Sequence, residues 1–248
     1  MMKKIFLILF FFIIGLAEAN AKPIVADLSI RSVDIDHDFT GLDILLFGAR
    51  NDVGRIVVVV RGPQRNYIVR KKEQIAGIWV NSKSVEFKNV NDFYSLAATN
   101  PLFEIRNENL LSSLDIGLEN IEFEPIDIRG GVKTHEIDDF AEALVKNKQN
   151  QNLYAKDISR VSFWGETLFR TVLEFPKNIS RGWYTAEIFL FNDGILSAVQ
   201  STPIRVSKTG FEAFMFDFAH KSSFFYGVFC VVMAVFSGWA ASAIFGRM

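Results

Sequence analysis

The chain has 248 residues, with 27 Lys and Arg against 28 Asp and Glu, and a formal net charge of −1. Without a basic excess, a nucleic-acid-binding surface is not expected. The single cysteine, Cys230, excludes a disulfide framework and a cysteine-rich zinc site.

In chain order, Lys3 and Lys4 give a positive start, and Ile5 to Leu16 is an apolar run. The run is shorter than the roughly 20 residues a helix needs to cross a bilayer. Ala19-Asn20-Ala21 supplies a small-x-small cleavage site. Together these predict a secretory signal over residues 1–21, with the mature chain beginning at Lys22. An uncleaved anchor is the alternative, and it leaves the following residues on the same side of the membrane.

Residues 22–208 are predicted to form an exported domain. From Ile24 the pattern is period-two: Leu42, Ile44 and Leu46 alternate with Asp43, Leu45 and Phe47. Ile56 to Val60 is β-branched throughout and reads as a buried strand, closed by Gly62-Pro63. Strands are also predicted around Tyr67–Arg70, Gly77–Val80 and Val85–Phe87. The period changes near Asn91, a predicted N-cap for a helical piece over Asp92–Ala98 that Pro101 ends. Leu102, Ile105, Leu110, Leu111 and Leu114 fit helical spacing. Asp138–Gln151 fits it better, with Phe140, Ala141, Leu144 and Val145 on one face.

Strand signals return at Thr167–Phe175 and Gly182–Phe191. Asn192-Asp193-Gly194 is a hairpin signal, and Ile195–Val206 runs back. Tyr184 and Ala186 stand where the immunoglobulin fold places its corner tyrosine and, two residues on, a core position. The predicted class is mainly β, an Ig-like β-sandwich with a helical insertion at about residues 91–155. Two separate domains are the alternative. With no disulfide to staple it, this domain must hold by packing, and 25 Phe suit that requirement.

Phe224 to Phe245 carries no charge. Its roughly 22 residues make a helix of about 33 Å, enough to span the hydrocarbon core. A transmembrane helix is predicted over 223–245, with a cytoplasmic tail at 246–248. Lys208 and Lys221 flank one end and Arg247 the other, so orientation follows from the signal rather than from these charges. Before the span, Phe211, Phe214, Met215 and Phe218 share one helical stripe, predicting a juxtamembrane helix over 209–222. Within the span, Cys230, Ala234, Gly238, Ser242 and Gly246 recur every four residues as a small-residue ridge. Such ridges let helix backbones approach closely in lipid, so a membrane-protein partner or a second copy of the chain is expected there, beside the bilayer itself.

Chemical constellations are sparse. Asp34, Asp36 and Asp38 share a strand face, but extended spacing of about 6.6 Å keeps their oxygens from converging on a cation. His37, His135 and His220 form no ligand pair by spacing. No nucleophile or phosphate-loop motif appears, so neither a catalytic residue nor a cofactor is expected. Arg61, Arg65 and Arg70, with Lys71 and Lys72, would form an anion-binding rim around the Gly62-Pro63 turn. Alternatively they are solvated charges that protect strand edges from aggregation.

Several phrases recur together: Leu46-Phe47-Gly48-Ala49, Val60-Arg61-Gly62-Pro63, Gly77-Ile78-Trp79-Val80-Asn81, Phe93-Tyr94, Leu168-Phe169-Arg170, Leu190-Phe191-x-Asp193-Gly194 and Gly238-Trp239. In this order, over nearly the whole chain, they resemble the alphaproteobacterial transmembrane protein family Alph_Pro_TM. The resemblance implies a single-pass protein of the bacterial inner membrane with its N-terminal domain in the periplasm. It carries no activity or catalytic residue with it, and implies an accessory role beside a permease. The expected function is a membrane-anchored periplasmic interaction module rather than an enzyme. The alternative is a periplasmic small-anion-binding protein or enzyme.

Overall fold

A computed structural model describes residues 23–209, 215 and 218–245. The predicted signal (1–21), the tail (246–248) with Gly246, and Phe211, Phe214 and Phe216 of the juxtamembrane stretch lie outside the described residues. The described chain is mainly β, as expected. Its strands are β1 Ile24–Leu28, β2 Ser32–Ile35, β3 Gly41–Arg50, β4 Arg55–Arg61, β5 Gln64–Ile75, β6 Ile78–Asn91 and β7 Tyr94–Ala98. They continue with β8 Glu124–Arg129, β9 Ser159–Arg160, β10 Ser162–Trp164, β11 Leu168–Pro176, β12 Gly182–Asn192 and β13 Ile195–Lys208.

Three sheets form. The first has order β1-β3-β11-β10, the second β2-β13-β12-β4-β7-β9, and the third β5-β6-β8. The first two share one core. Ile24, Ala26, Ile44, Leu46, Phe169 and Phe175 from one sheet join Ile56, Val58, Val60, Tyr184, Ala186 and Ile188 from the other. Phe93, Phe175 and Tyr184 meet ring to ring across the gap, with centroids 5.1–5.8 Å apart. In immunoglobulin lettering, β1, β3, β11 and β10 follow the order A-B-E-D, and β13, β12 and β4 follow G-F-C. The Tyr184 hydroxyl donates to the Ser180 carbonyl at 2.8 Å, the contact of a corner tyrosine. Asp193 and Gly194 both have positive φ, the type I′ geometry that the hairpin signal predicts.

All five residues from Ile56 to Val60 are buried, so both faces of β4 are covered. Ile56, Val58 and Val60 face the other sheet. Val57, Val59 and Arg61 alternate to the outer side, where Arg61 donates to the carbonyls of Leu114 (2.5 Å) and Asp115 (3.2 Å). The cover is the stretch from a 3-10 turn at Leu102–Ile105, through the short helix α1 Glu108–Ser113, to the turn at Leu118–Asn120. Leu102, Ile105, Leu111 and Ile116 are its buried residues.

Between 91 and 155 the chain is not helical throughout. Residues 94–98, predicted as part of a helix, are strand β7, with every residue buried. Its neighbour β4 needs a partner on that edge, and ladder bonds plus two covered faces outweigh the helical preference of its alanines. Helix α2, Ile137–Asn150, lies where Asp138–Gln151 was expected. It packs Phe140 and Leu144 on Val85, Phe87 and Val90 of β6, a second small core under the β5-β6-β8 sheet. Its start is pinned by Glu136, whose carboxylate accepts from the Lys133 N–H (2.8 Å) and from Lys83 Nζ (2.7 and 2.9 Å).

The C-terminal helix α3, Ser223–Phe245, is uncharged, and its residues 223–243 are exposed apart from the half-buried Tyr226 and Ala240. Residues 218–221 before it are also helical.

Two outcomes test this packing. Residues 22–208 expressed alone should fold without an oxidant, and Tyr184→Phe should cost about 1 kcal/mol in urea unfolding by leaving the Ser180 carbonyl unpaired. The Lys133 N–H, then Lys83, hold the Glu136 carboxyl at about 2, below its ordinary 4.5. A carboxylate depressed on folding stabilises above its unfolded value and loses that contribution as pH falls toward its folded one. Glu136→Gln should therefore lower the urea midpoint at pH 7, and the gap from wild type should close between pH 4.5 and about 2.

Candidate functional site

The outer face of the β1-β3-β11-β10 sheet is built from the residues that alternate away from the core. Register places Val25, Ala49, Leu168 and Trp164 in one row across all four strands. The next row is Asp27, Phe47, Arg170 and Ser162, and Leu45 and Val172 stand opposite one another in the row after. Val25 and Leu168 are each 54% exposed and Trp164 75%. Phe47, Leu45 and Val172 are exposed as well. The strands curl around a shallow groove of about 450 Å³ lined by the first two rows. Charge sits at its rim: Arg31 forks onto the Asp27 carboxylate at 2.7 Å, and the Arg170 guanidinium lies 5.8 Å from the Trp164 ring centre. Gly48 lies beneath; a Cβ there would come within 2.5 Å of Phe169 and of the Val25 carbonyl. The two large sheets thus differ. One has the outer side of β4 covered by chain, and the other leaves a continuous apolar outer side bare.

A second cluster lies at the neck between the sandwich and the β5-β6-β8 sheet. Asp92, buried, accepts from the Tyr67 hydroxyl and pairs with Arg65 Nε at 3.0 Å and Lys148 Nζ at 3.6 Å. Lys148, also buried, donates to the Asp92 carbonyl at 3.3 Å and lies 3.7 Å from the Tyr67 ring centre. Tyr154 OH donates to the Asn91 carbonyl at 2.9 Å. Burial pushes the Lys148 ammonium below its ordinary value, with Asp92 opposing, and pushes the Tyr67 and Tyr154 phenols up. This cluster was not foreseen. Its one sequence signal was Lys148 itself, four residues after Leu144 and eight after Phe140 on the apolar face of α2.

The three arginines expected at an anion rim are placed separately. Arg61 is ion-paired with Glu187 besides its two carbonyls. Arg65 is paired with Asp92. Arg70 lies further along β5, opposite Ser84. Two of the three therefore already meet a carboxylate of the chain. In the acidic stretch, Asp34 accepts from Ser207 Oγ at 2.8 Å while Asp36 accepts from the Asp38 N–H at 3.1 Å, so these carboxylates do not converge. Among the described residues no group of three or more His, Cys, Asp or Glu is arranged to hold a metal. On α3, Cys230, Ala234, Gly238 and Ser242 lie along one line at four-residue spacing, and open space surrounds Gly238.

Among the described residues one helix, over Ser223–Ala243, is long and apolar enough to cross a bilayer. The family described as "Putative transmembrane protein (Alph_Pro_TM)" matches residues 23–247, and the chain belongs to that family. No curated protein matches it.

The neck makes a quantitative test. Asp92→Asn leaves the Lys148 charge buried without its carboxylate and should cost about 3–5 kcal/mol. Lys148→Met should cost less, because Asp92 keeps Arg65 and Tyr67. Urea unfolding of both variants reads the order, and a reversed order would show Lys148 to be the more important partner.

Proposed function

We propose that this protein is a periplasmic interaction module of the bacterial inner membrane, not an enzyme. It is held by α3 with its C-terminus in the cytoplasm, and it partners a second membrane protein as an accessory to a permease. The observation that carries this reading is the bare apolar face of the β1-β3-β11-β10 sheet. Soluble domains rarely leave such a patch uncovered unless something binds it. Here the chain spends residues 102–120 covering the outer side of β4 in the other sheet and none on this one. An aromatic centre with a charged rim is the anatomy of a protein interface. The small-residue ridge Ala234, Gly238 and Ser242 supports the same partner within the membrane, since a bare anchor needs no close helix approach.

Isolation of the full chain in mild detergent should bring a membrane protein in fixed stoichiometry. Phe47→Glu at the centre of the face should weaken that association by roughly 30-fold or more, as loss of a central aromatic anchor does. Gly238→Leu should weaken it while leaving membrane insertion intact. Retention of the same partner at full strength by both variants would remove the basis of the reading.

A further inference from the structure

The β4–β7 ladder does not stop at the edge of the sandwich. After the Arg61–Tyr94 pair, Gly62 N–H donates to the Phe93 carbonyl and Asp92 N–H to the Pro63 carbonyl, both at 2.8 Å. Pairing then resumes at Gln64 and Asn91 and runs to Ile75 and Ile78. One ribbon therefore leaves the sandwich and ends in a hairpin whose turn, Ala76-Gly77, has positive φ at both residues. It leaves by the end that faces the membrane tether. Val206, near the close of β13, pairs with Gly182, and Gly182 rests on Pro63 at the root of the ribbon.

Support for the ribbon runs out before its tip. The β6–β8 pairing ends at Ser84 and Arg129, and α2 begins beside Lys83. Beyond that level the two strands pair with each other, and the end of the hairpin is apolar. Ile75 (58% exposed), Ile78 (68%), Trp79 (66%) and Val80 project into solvent. Behind them stand Arg70, Lys71 and Lys72. Of the six Lys and Arg in residues 64–91, Arg65, Lys83 and Lys88 pair with Asp92, Glu136 and Glu124, so the positive excess of the ribbon is concentrated at Arg70, Lys71 and Lys72, with Glu73 beside Lys71.

An aromatic and aliphatic tip with a cationic collar one step behind is how a segment settles at a bilayer surface. Tryptophan favours the interface, side chains enter to about 5–10 Å, and Lys and Arg meet anionic headgroups. We propose that the tip Ile75–Val80 inserts into the interfacial zone of the same bilayer that α3 spans, giving the domain a second membrane contact. Reach permits it. The 12 residues of β5 extend about 40 Å, and the 14 residues from 209 to 222, of which 218–221 are helical, allow the sandwich to stand up to about 40 Å from the start of α3.

The inference rests on α3 as a membrane span, and the test separates the two. The full chain, with Cys230→Ser and Gln74→Cys, carries an environment-sensitive fluorophore opposite Trp79. It is reconstituted into vesicles of phosphatidylethanolamine and phosphatidylglycerol. Retention in floated vesicles at alkaline pH reports α3 alone. Quenching of the fluorophore by lipids spin-labelled near the headgroup reports the tip alone. The same label at Ser162→Cys, on the outer sheet face, is the reference. The expected result is lipid quenching at position 74 and not at 162. Lys71→Gln and Lys72→Gln should each reduce tip insertion roughly fivefold. Quenching at position 74 by aqueous iodide alone, in vesicles that retain the chain, would overturn the proposal. Protection from both quenchers would overturn it too, because protein rather than lipid would then cover the tip.

Discussion

The buried carboxylate of Asp92 is the constraint on which the two halves of the exported region depend. Its backbone N–H extends the β4–β7 ladder to Pro63, and its side chain gathers Tyr67 from β5, Arg65 from the ribbon root and Lys148 from α2. A buried acid is stabilised only by its partners, and these come from two stretches of chain, Arg65 and Tyr67 from β5 and Lys148 from α2. Moving the ribbon or the helix would leave charge in an apolar surround at a cost of several kcal/mol. The neck therefore sets the direction in which the hairpin leaves the sandwich, without any covalent staple.

How much of this was legible depends on the periodicity each segment had to satisfy. The run Ile56–Val60 read correctly as a buried strand because both faces of β4 are covered, and a fully apolar β-branched strand has few other uses. Tyr184 was legible because a corner tyrosine has a fixed offset from its core position. Tyr94–Ala98 was misread. Its Asn-Asp opening imitates a helix cap, while the reason it is a strand, the vacant edge of β4, lies more than 30 residues away in sequence. The same holds for the site. Leu45 and Phe47 stood in plain view at positions where alternation would put polar residues, yet only the pairing of β3 with β11, and of β11 with β10, sets them beside Val172, Leu168 and Trp164 on one surface. Arg61 and Arg65 read as a rim because sequence shows their charge but not the acids, Glu187 and Asp92, that meet them.

The absence of disulfides from the described domain fits this organisation. A domain held only by packing has to keep its apolar surface inside, and this one does so wherever the chain has residues to spend. Sheet edges are handled as carefully: the Gln200 side chain both accepts from and donates to the Ala26 backbone at 2.9 and 2.6 Å, bridging β13 to β1 where the two sheets meet. Against that economy, two places gather exposed apolar side chains into groups, the outer face of the first sheet and the hairpin tip.

The two groups lie at different heights. Sheet register sets the row of Val25 beside Ala26, which is level with Gln200 near the middle of β13, while the tether leaves from Lys208 at its end. The bare face therefore spans the middle of the sandwich, and the ribbon leaves from the end beside the tether. A domain joined to the membrane at one point would be free to tilt, and a face on its side would be presented in no fixed direction. A second contact at the hairpin tip would remove most of that freedom. Ordering entropy is then spent once, by the tip, before any partner arrives, and a partner meeting the face binds a surface already oriented.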